Sequence, residues 1–314
     1  MKEKKDGKKR IKLNIKRGVK KSGRSAPKKK RLKYIAFLPS FITLMNGAFG
    51  FFAIIFASRS QTPEWSMFPV RNLSSLSLSG YMIILAMIAD MLDGRIARLT
   101  RTTSSFGGQL DSLSDAISFG AAPAFMMIKL VESHLLHLEF IPPHFSILGG
   151  RVIFFSGVLF VLCAIVRLAR FNVENEEDET AHMNFTGLPS PAAAGVVVSL
   201  VILHQRLFYI IADKASIAYQ ILEIASVFAL PVITLLTGIL MVSRISYPHL
   251  PNQLLRSKKS PAMLLAIFAS AFLLIWNIQL VMAIGFSAFA LFGIIRWIIL
   301  SIFRKTPPPP DLAA

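Results

Sequence analysis

Residues 90–115 read DMLDGRIARLTRTTSSFGGQLDSLSD. Four of the chain's eight aspartates fall in this stretch: Asp90, Asp93, Asp111 and Asp115. Long apolar runs lead into it and out of it. A carboxylate close to the hydrocarbon layer costs about a few kcal/mol or more, so an ionisable residue there is a functional candidate by default. The stretch therefore raises two questions: what fold surrounds it, and what offsets its charge.

Composition answers the first. The 314 residues are 54% hydrophobic and only 17% charged, with a mean hydropathy of +0.56. Soluble domains carry roughly 25% charged residues. Apolar runs of about 20 residues mark membrane-spanning helices, and a barrel would instead show alternating strands of about ten. Eight runs qualify: 36–57, 80–97, 107–130, 147–166, 191–211, 217–242, 261–278 and 280–303. The expected fold is an all-α integral membrane protein, because helices satisfy their own backbone in lipid. The lone Cys163 sits in an apolar run and cannot form an intramolecular disulfide; it reads as a small buried residue.

The net charge of +18 is concentrated at one end. Residues 1–34 hold 17 Lys or Arg against Glu3 and Asp6, and this basic arm has no apolar core. It is expected to be disordered in isolation, to hold the N-terminus in the cytoplasm and to lie on anionic lipid. It lacks the aromatic interleaving a single-strand nucleic-acid binder uses before Tyr34, so no nucleic acid is expected. With the N-terminus inside, the outer loops carry only Arg59, Arg71 and Lys214. The inner segments carry Arg95, Arg98, Arg101, Arg167, Arg170, Arg244, Arg256, Lys258, Lys259, Arg304 and Lys305. The positive-inside rule then puts the four aspartates and both termini at the cytoplasmic surface. The expected division is an arm (1–34), a transmembrane core (35–250), a C-terminal helix pair (251–305) and a Pro-rich tail (306–314). The acidic loop ENEEDET (174–180) reads as a solvated linker, and His182 and His249 as solvated loop residues.

Helical spacing answers the second question. Asp90, Asp93 and Ala97 share one helix face, and Gly107, Asp111 and Asp115 share another. The short connection makes the helices antiparallel neighbours, so two carboxylates face two others. Their repulsion calls for two divalent cations, and all-oxygen ligands favour Mg²⁺ or Mn²⁺. Two such ions form a clamp for phosphate or pyrophosphate. Gly94, Gly107 and Gly108 leave room for a bulky ligand, and Arg98 can neutralise phosphate. An ion-coupled transporter is disfavoured, because its carboxylates belong near the bilayer midplane, often within inverted repeats. A scaffold displaying the basic arm would depend on the arm and not on the aspartates.

The stretch resembles the signature of the CDP-alcohol phosphatidyltransferases, D-x2-D-G-x2-A-R-x8-G-x3-D-x3-D, with every spacing met by Asp90, Asp93, Gly94, Ala97, Arg98, Gly107, Asp111 and Asp115. The resemblance implies a six-helix core, here with about two extra C-terminal helices, a homodimer and a dinuclear metal site. It implies that the four Asp bind metal and that Asp115 is also the general base, with Asp111 beside it in the catalytic set. Gly94, Ala97, Arg98 and Gly107 would line the CDP pocket.

Further segments are similar to the serine-specific membrane branch of that family: DSLSDAISFGAAPA (111–124), RLARFN (167–172), FTGLPSPAAAG (185–195) and LPSFITLMNGAFGFFAI in the first span. The sequence departs from that branch at Ser40, where Asn is common, while Thr43 and Asn46 remain available to the nucleotide. The implied reaction moves a phosphatidyl group from CDP-diacylglycerol to L-serine, with Arg167 and Arg170 as candidates for holding carboxylate or phosphate. Choline, glycerol phosphate and inositol phosphate are the alternative acceptors. The expected location is a bacterial cytoplasmic membrane.

Overall fold

A computed structural model describes residues 28–59, 74–100, 105–135, 143–177, 185–211, 216–247 and 261–303. Most of the basic arm, the ENEEDET acids beyond Glu177, His182, His249 and the Pro-rich tail lie outside the described residues. The helices are α1 (Lys28–Ser58), α2 (Ser75–Thr100), α3 (Ser105–Asp115), α4 (Ala122–Leu135), α5 (Pro143–Glu177), α6 (Ser190–Ile210), α7 (Ile217–Val242) and α8 (Pro261–Phe303). A π-helical segment, Ala116–Ala121, joins α3 to α4 in one continuous rod.

Among the described residues, seven helices are long and apolar enough to cross a membrane: Ser40–Ser58, Ser75–Ile96, Phe106–Leu135, Ile147–Val173, Ser190–Ile210, Ile217–Val242 and Asn277–Leu300. The protein is an all-α integral membrane protein. The eighth expected span, 261–278, is helical in backbone, but its side chains up to residue 276 lie outside the described residues. Near the boundary between the last two expected runs, Asn277 has φ −151° and ψ 73°, which breaks α8 in two.

The rod carrying Asp111 and Asp115 is the central element. Of its most apolar window, 67% is buried, against 17% for Asn277–Leu300. Around it α1 pairs with α2, α5 with α7 and α6 with α8. Phe119, Ala122, Met126, Met127 and Leu130 from the rod meet Ala53, Ile83, Phe160, Val197 and Val201 in one core. The outward side chains are large and apolar, among them Phe51, Phe154, Phe155, Ile284 and Phe292. That inversion of the soluble pattern fits a lipid-facing surface, where lipid tails are as apolar as the side chains.

A two-residue antiparallel pairing, β1 (Phe185–Thr186) with β2 (Ser246–Tyr247), ties the chain before α6 to the chain after α7. Between β1 and α6, Gly187 adopts φ +86°, a conformation that favours glycine. This turn lets Gly187 N–H donate to Ile245 O at 2.8 Å and Leu188 N–H donate to Leu240 O at 3.0 Å. The second bond gives a carbonyl in the last turn of α7 a backbone donor beside the Ser243 hydroxyl, which donates to it at 2.8 Å. The FTGLPSP stretch is thus a strap built around one glycine.

Candidate active site

The floor of the site is α1. Thr43, Asn46, Gly50, Ala53 and Ala57 recur at helical spacing, and all are buried. Small residues on this stripe let neighbouring helices approach closely. Ser79 of α2 donates its hydroxyl to Ala53 O at 2.7 Å. On the other side, a Cβ placed on Gly50 would lie 2.7 Å from Ser118 Cα, so α1 and the π segment touch backbone to backbone there.

The two carboxylate-bearing helices reach this floor separately. From α2, Asp93 receives hydrogen bonds from the Thr43 hydroxyl and the Gly94 backbone N–H. From the end of α3, Asp115 Oδ1 accepts a 2.8 Å bond from Asn46 Nδ2. Thr43 is 5% exposed and Asn46 is fully buried. Both residues, expected from resemblance at the nucleotide, therefore meet carboxylates from below. The sequence reading did not anticipate this contact, although the small-and-polar stripe on α1 was its visible signal.

Asp90, Asp93 and Asp111 each offer a carboxylate oxygen within 4.8 Å of the others. Asp115 lies within electrostatic reach of all three but outside that tight set. Asp93 Oδ2 and Asp111 Oδ1 are buried and accept no hydrogen bond. Buried carboxylate oxygens without partners are costly, and a hard divalent cation is the species that satisfies several at once. The residues present thus fit a metal ion held by Asp90, Asp93 and Asp111.

The surroundings leave space for a ligand. A Cβ on Gly94 or Gly108 would meet nothing within 4 Å. Gly107 opens α3 four residues before Asp111, while the side chains of Ala97 and Arg98 lie outside the described residues. From α5, Asn172 Nδ2 donates to Ser112 Oγ at 2.8 Å, which brings the end of RLARFN against α3 beside Asp111. Arg167, one turn and a half earlier, is 9% exposed and donates to Ser190 Oγ at 3.2 Å at the start of α6. Arg170 is half-buried. The motif is thus anchored at both ends.

A family model of the CDP-alcohol phosphatidyltransferases matches residues 36–229. The chain belongs to the CDP-alcohol phosphatidyltransferase family. A CDP-diacylglycerol--serine O-phosphatidyltransferase of Helicobacter pylori is 30% identical over 222 residues, covering 71% of this chain and 80% of the relative. One of Methanocaldococcus jannaschii is 30% identical over 267 residues, covering 85% and 97%. An archaetidylserine synthase of Methanothermobacter thermautotrophicus is 32% identical over 223 residues, covering 70% and 73%. The family match places the carboxylates, the strap and all of α1 after Tyr34 and Ile35 within the shared region, and leaves α8 outside it.

Proposed function

We propose that this CDP-alcohol phosphatidyltransferase transfers the phosphatidyl group of CDP-diacylglycerol to the hydroxyl of L-serine, releasing CMP. The observation that carries the reading is the likeness, over 97% of the relative's length, to the Methanocaldococcus jannaschii protein, which is named as a phosphatidyltransferase acting on serine. The names of the Helicobacter pylori and Methanothermobacter thermautotrophicus relatives differ in the lipid and agree on serine.

The chain's own residues divide the work. Asp90, Asp93 and Asp111 would hold divalent metal, Mg²⁺ or Mn²⁺, and two ions are expected in the full site. When bound, the metal supplies a clamp on the pyrophosphate and spreads the charge that builds on departing CMP. Gly94 leaves room for the nucleotide to approach the backbone, and Ala97, Arg98 and Gly107 would line the same pocket. Asp115 accepts the serine hydroxyl proton as the serine oxygen bonds to the phosphatidyl phosphorus. The phosphorus–oxygen bond to CMP breaks, and CMP leaves with the electron pair. Arg167 and Arg170 would hold the serine carboxylate or the lipid phosphate.

Location fits the chemistry. A site at one end of α2 and α3 keeps acyl chains in the bilayer while CMP and serine exchange with water. The reading has this end at the cytoplasmic face of a bacterial membrane, with both termini on the same side, a homodimer as the working unit, and the basic arm on anionic lipid.

The test is an assay of purified protein with CDP-diacylglycerol, Mg²⁺ or Mn²⁺ and labelled serine, beside glycerol phosphate, inositol phosphate and choline. Serine-dependent CMP release with label in lipid is expected. Release with another acceptor and not serine would overturn the acceptor, and no release with any acceptor under either metal would overturn the enzyme reading.

A further inference from the structure

The contact between α1 and the proposed base carries a role that the family signature does not contain. Asn46 is fully buried and donates Nδ2 to Asp115 Oδ1 at 2.8 Å. Its own Oδ1 is buried and accepts nothing. Its backbone carbonyl accepts the Ser118 hydroxyl at 2.8 Å. Ser118 lies in the π segment that begins one residue after Asp115, and a Cβ on the facing Gly50 would collide with it. Asp115 and Ser118, three residues apart on the same rod, thus grip one residue of α1, one through the amide and the other through the carbonyl.

Three features separate this arrangement from ordinary core packing. A buried amide with an unbonded oxygen costs stability, and an apolar residue of similar shape would avoid that cost. The rod departs from α-helical geometry immediately after Asp115, and the Ala122 N–H reaches back five residues to Ile117 O. Such π turns are concentrated at functional sites. Asp115 also stands outside the tight Asp90–Asp93–Asp111 set, so its direction is set by α1 and not by the other carboxylates alone.

We propose that Asn46 is a positioning residue for Asp115, and that Ser118, through the π turn, holds Asn46 in place. With Oδ1 engaged by the amide, Asp115 Oδ2 is the oxygen left to take the acceptor's proton. Asn46 then acts through Asp115 and does not contact the nucleotide. This rests on Asp115 being the base in the proposed transfer.

The experiment measures kcat and KM for CDP-diacylglycerol in Asn46→Ala, Ser118→Ala and Asp115→Asn, with Mn²⁺ affinity by calorimetry in the same preparations. Asn46→Ala is expected to lower kcat by about 10- to 100-fold, less than the roughly 10²- to 10⁴-fold that the general base itself contributes. KM and Mn²⁺ affinity should stay within about threefold. Ser118→Ala should show the same pattern with a smaller loss. In single turnovers, Asn46→Ala should add no further loss to Asp115→Asn, since a residue acting only through Asp115 has nothing left to position.

A tenfold rise in KM with kcat kept would make Asn46 a nucleotide contact. A parallel loss of Mn²⁺ affinity would make it part of the metal site. Additive losses in the double variant would make it structural. Each of these outcomes overturns the proposal. Asn46→Ser provides the same comparison if Asn46→Ala does not fold. Wild-type protein that releases CMP with a different acceptor would overturn the serine reading while leaving the comparison valid with that acceptor.

Discussion

Asp111 and Asp115 sit four residues apart on one rod, yet their surroundings differ. Asp111 shares the tight set and keeps a buried oxygen unbonded, whereas Asp115 gives an oxygen to Asn46. Both Asp111→Asn and Asp115→Asn are expected to lose about 10²- to 10⁴-fold in kcat. They should part on metal titration. Excess Mn²⁺ should recover part of the Asp111→Asn loss and none of the Asp115→Asn loss; equal recovery would deny them separate duties. Two glycines give a second contrast. Gly50→Ala drives a methyl into the Ser118 backbone, a case of overpacking that costs about 1–3 kcal/mol. Gly94→Ala meets nothing within 4 Å, so it should melt like wild type but raise KM for the CDP donor. Thermal melts in detergent beside initial rates check both.

At the scale of elements, legibility followed chemistry that repeats. The DxxDG stretch and the Gly107–Asp111–Asp115 face could be read because carboxylates are rare in an apolar chain and helical spacing is regular. The sixth span, 217–242, has the bounds the sequence suggests, because α7 carries a single charged residue, Glu223, along its length. The π turn could not be read in this way. AISFGA has no residue that enforces a wider turn, and the register depends on how closely Gly50 admits the Ser118 backbone. The hydrogen bonds of Thr43 and Asn46 were hidden for a related reason: a polar residue on an apolar helix declares that it has a partner without declaring which one. The strap was half legible. FTGLPSPAAAG stands out by its resemblance to the serine-specific branch, but the role of Gly187 in reaching Ile245 and Leu240 needs the fold. A side chain at Gly187 would strain φ +86° and strike Met241 O. Gly187→Ala is therefore expected to destabilise by about 1–3 kcal/mol, read as a lower melting temperature.

For the whole molecule, the proposed metal dependence predicts that a chelator abolishes CMP release and that Mg²⁺ or Mn²⁺ restores it. Activity unchanged in excess chelator would remove metal from the reading. Removing residues 1–27 should weaken binding to anionic vesicles and leave kcat nearly unchanged, because the family match begins only at residue 36. Cosedimentation checks the first expectation and the release assay the second.

The contact of Tyr247 with α8 has its own pH signature. Tyr247 is fully buried against Gly293, donates to Ala290 O at 3.2 Å, and burial pushes its phenol from 10.0 up to about 12. Its contribution is complete below pH 10 and is lost as pH rises toward 12, since the unfolded state ionises first. Tyr247→Phe should reduce the slope of alkaline destabilisation in melts between those values; an unchanged slope would place the sensitivity elsewhere.

The strap also sets an order of events during synthesis. Leu188 has already left the ribosome when α7 follows, so the amide that donates to Leu240 O is waiting when that carbonyl arrives. Only then can Ser246 and Tyr247 pair with β1 and present the phenol on which Gly293 of α8 comes to rest. Every carboxylate of the site, and the α1 residues beneath them, belongs to the first 115 residues. A nascent chain therefore possesses its reactive groups long before the last helix arrives, and α8 closes a structure whose chemistry is already in place.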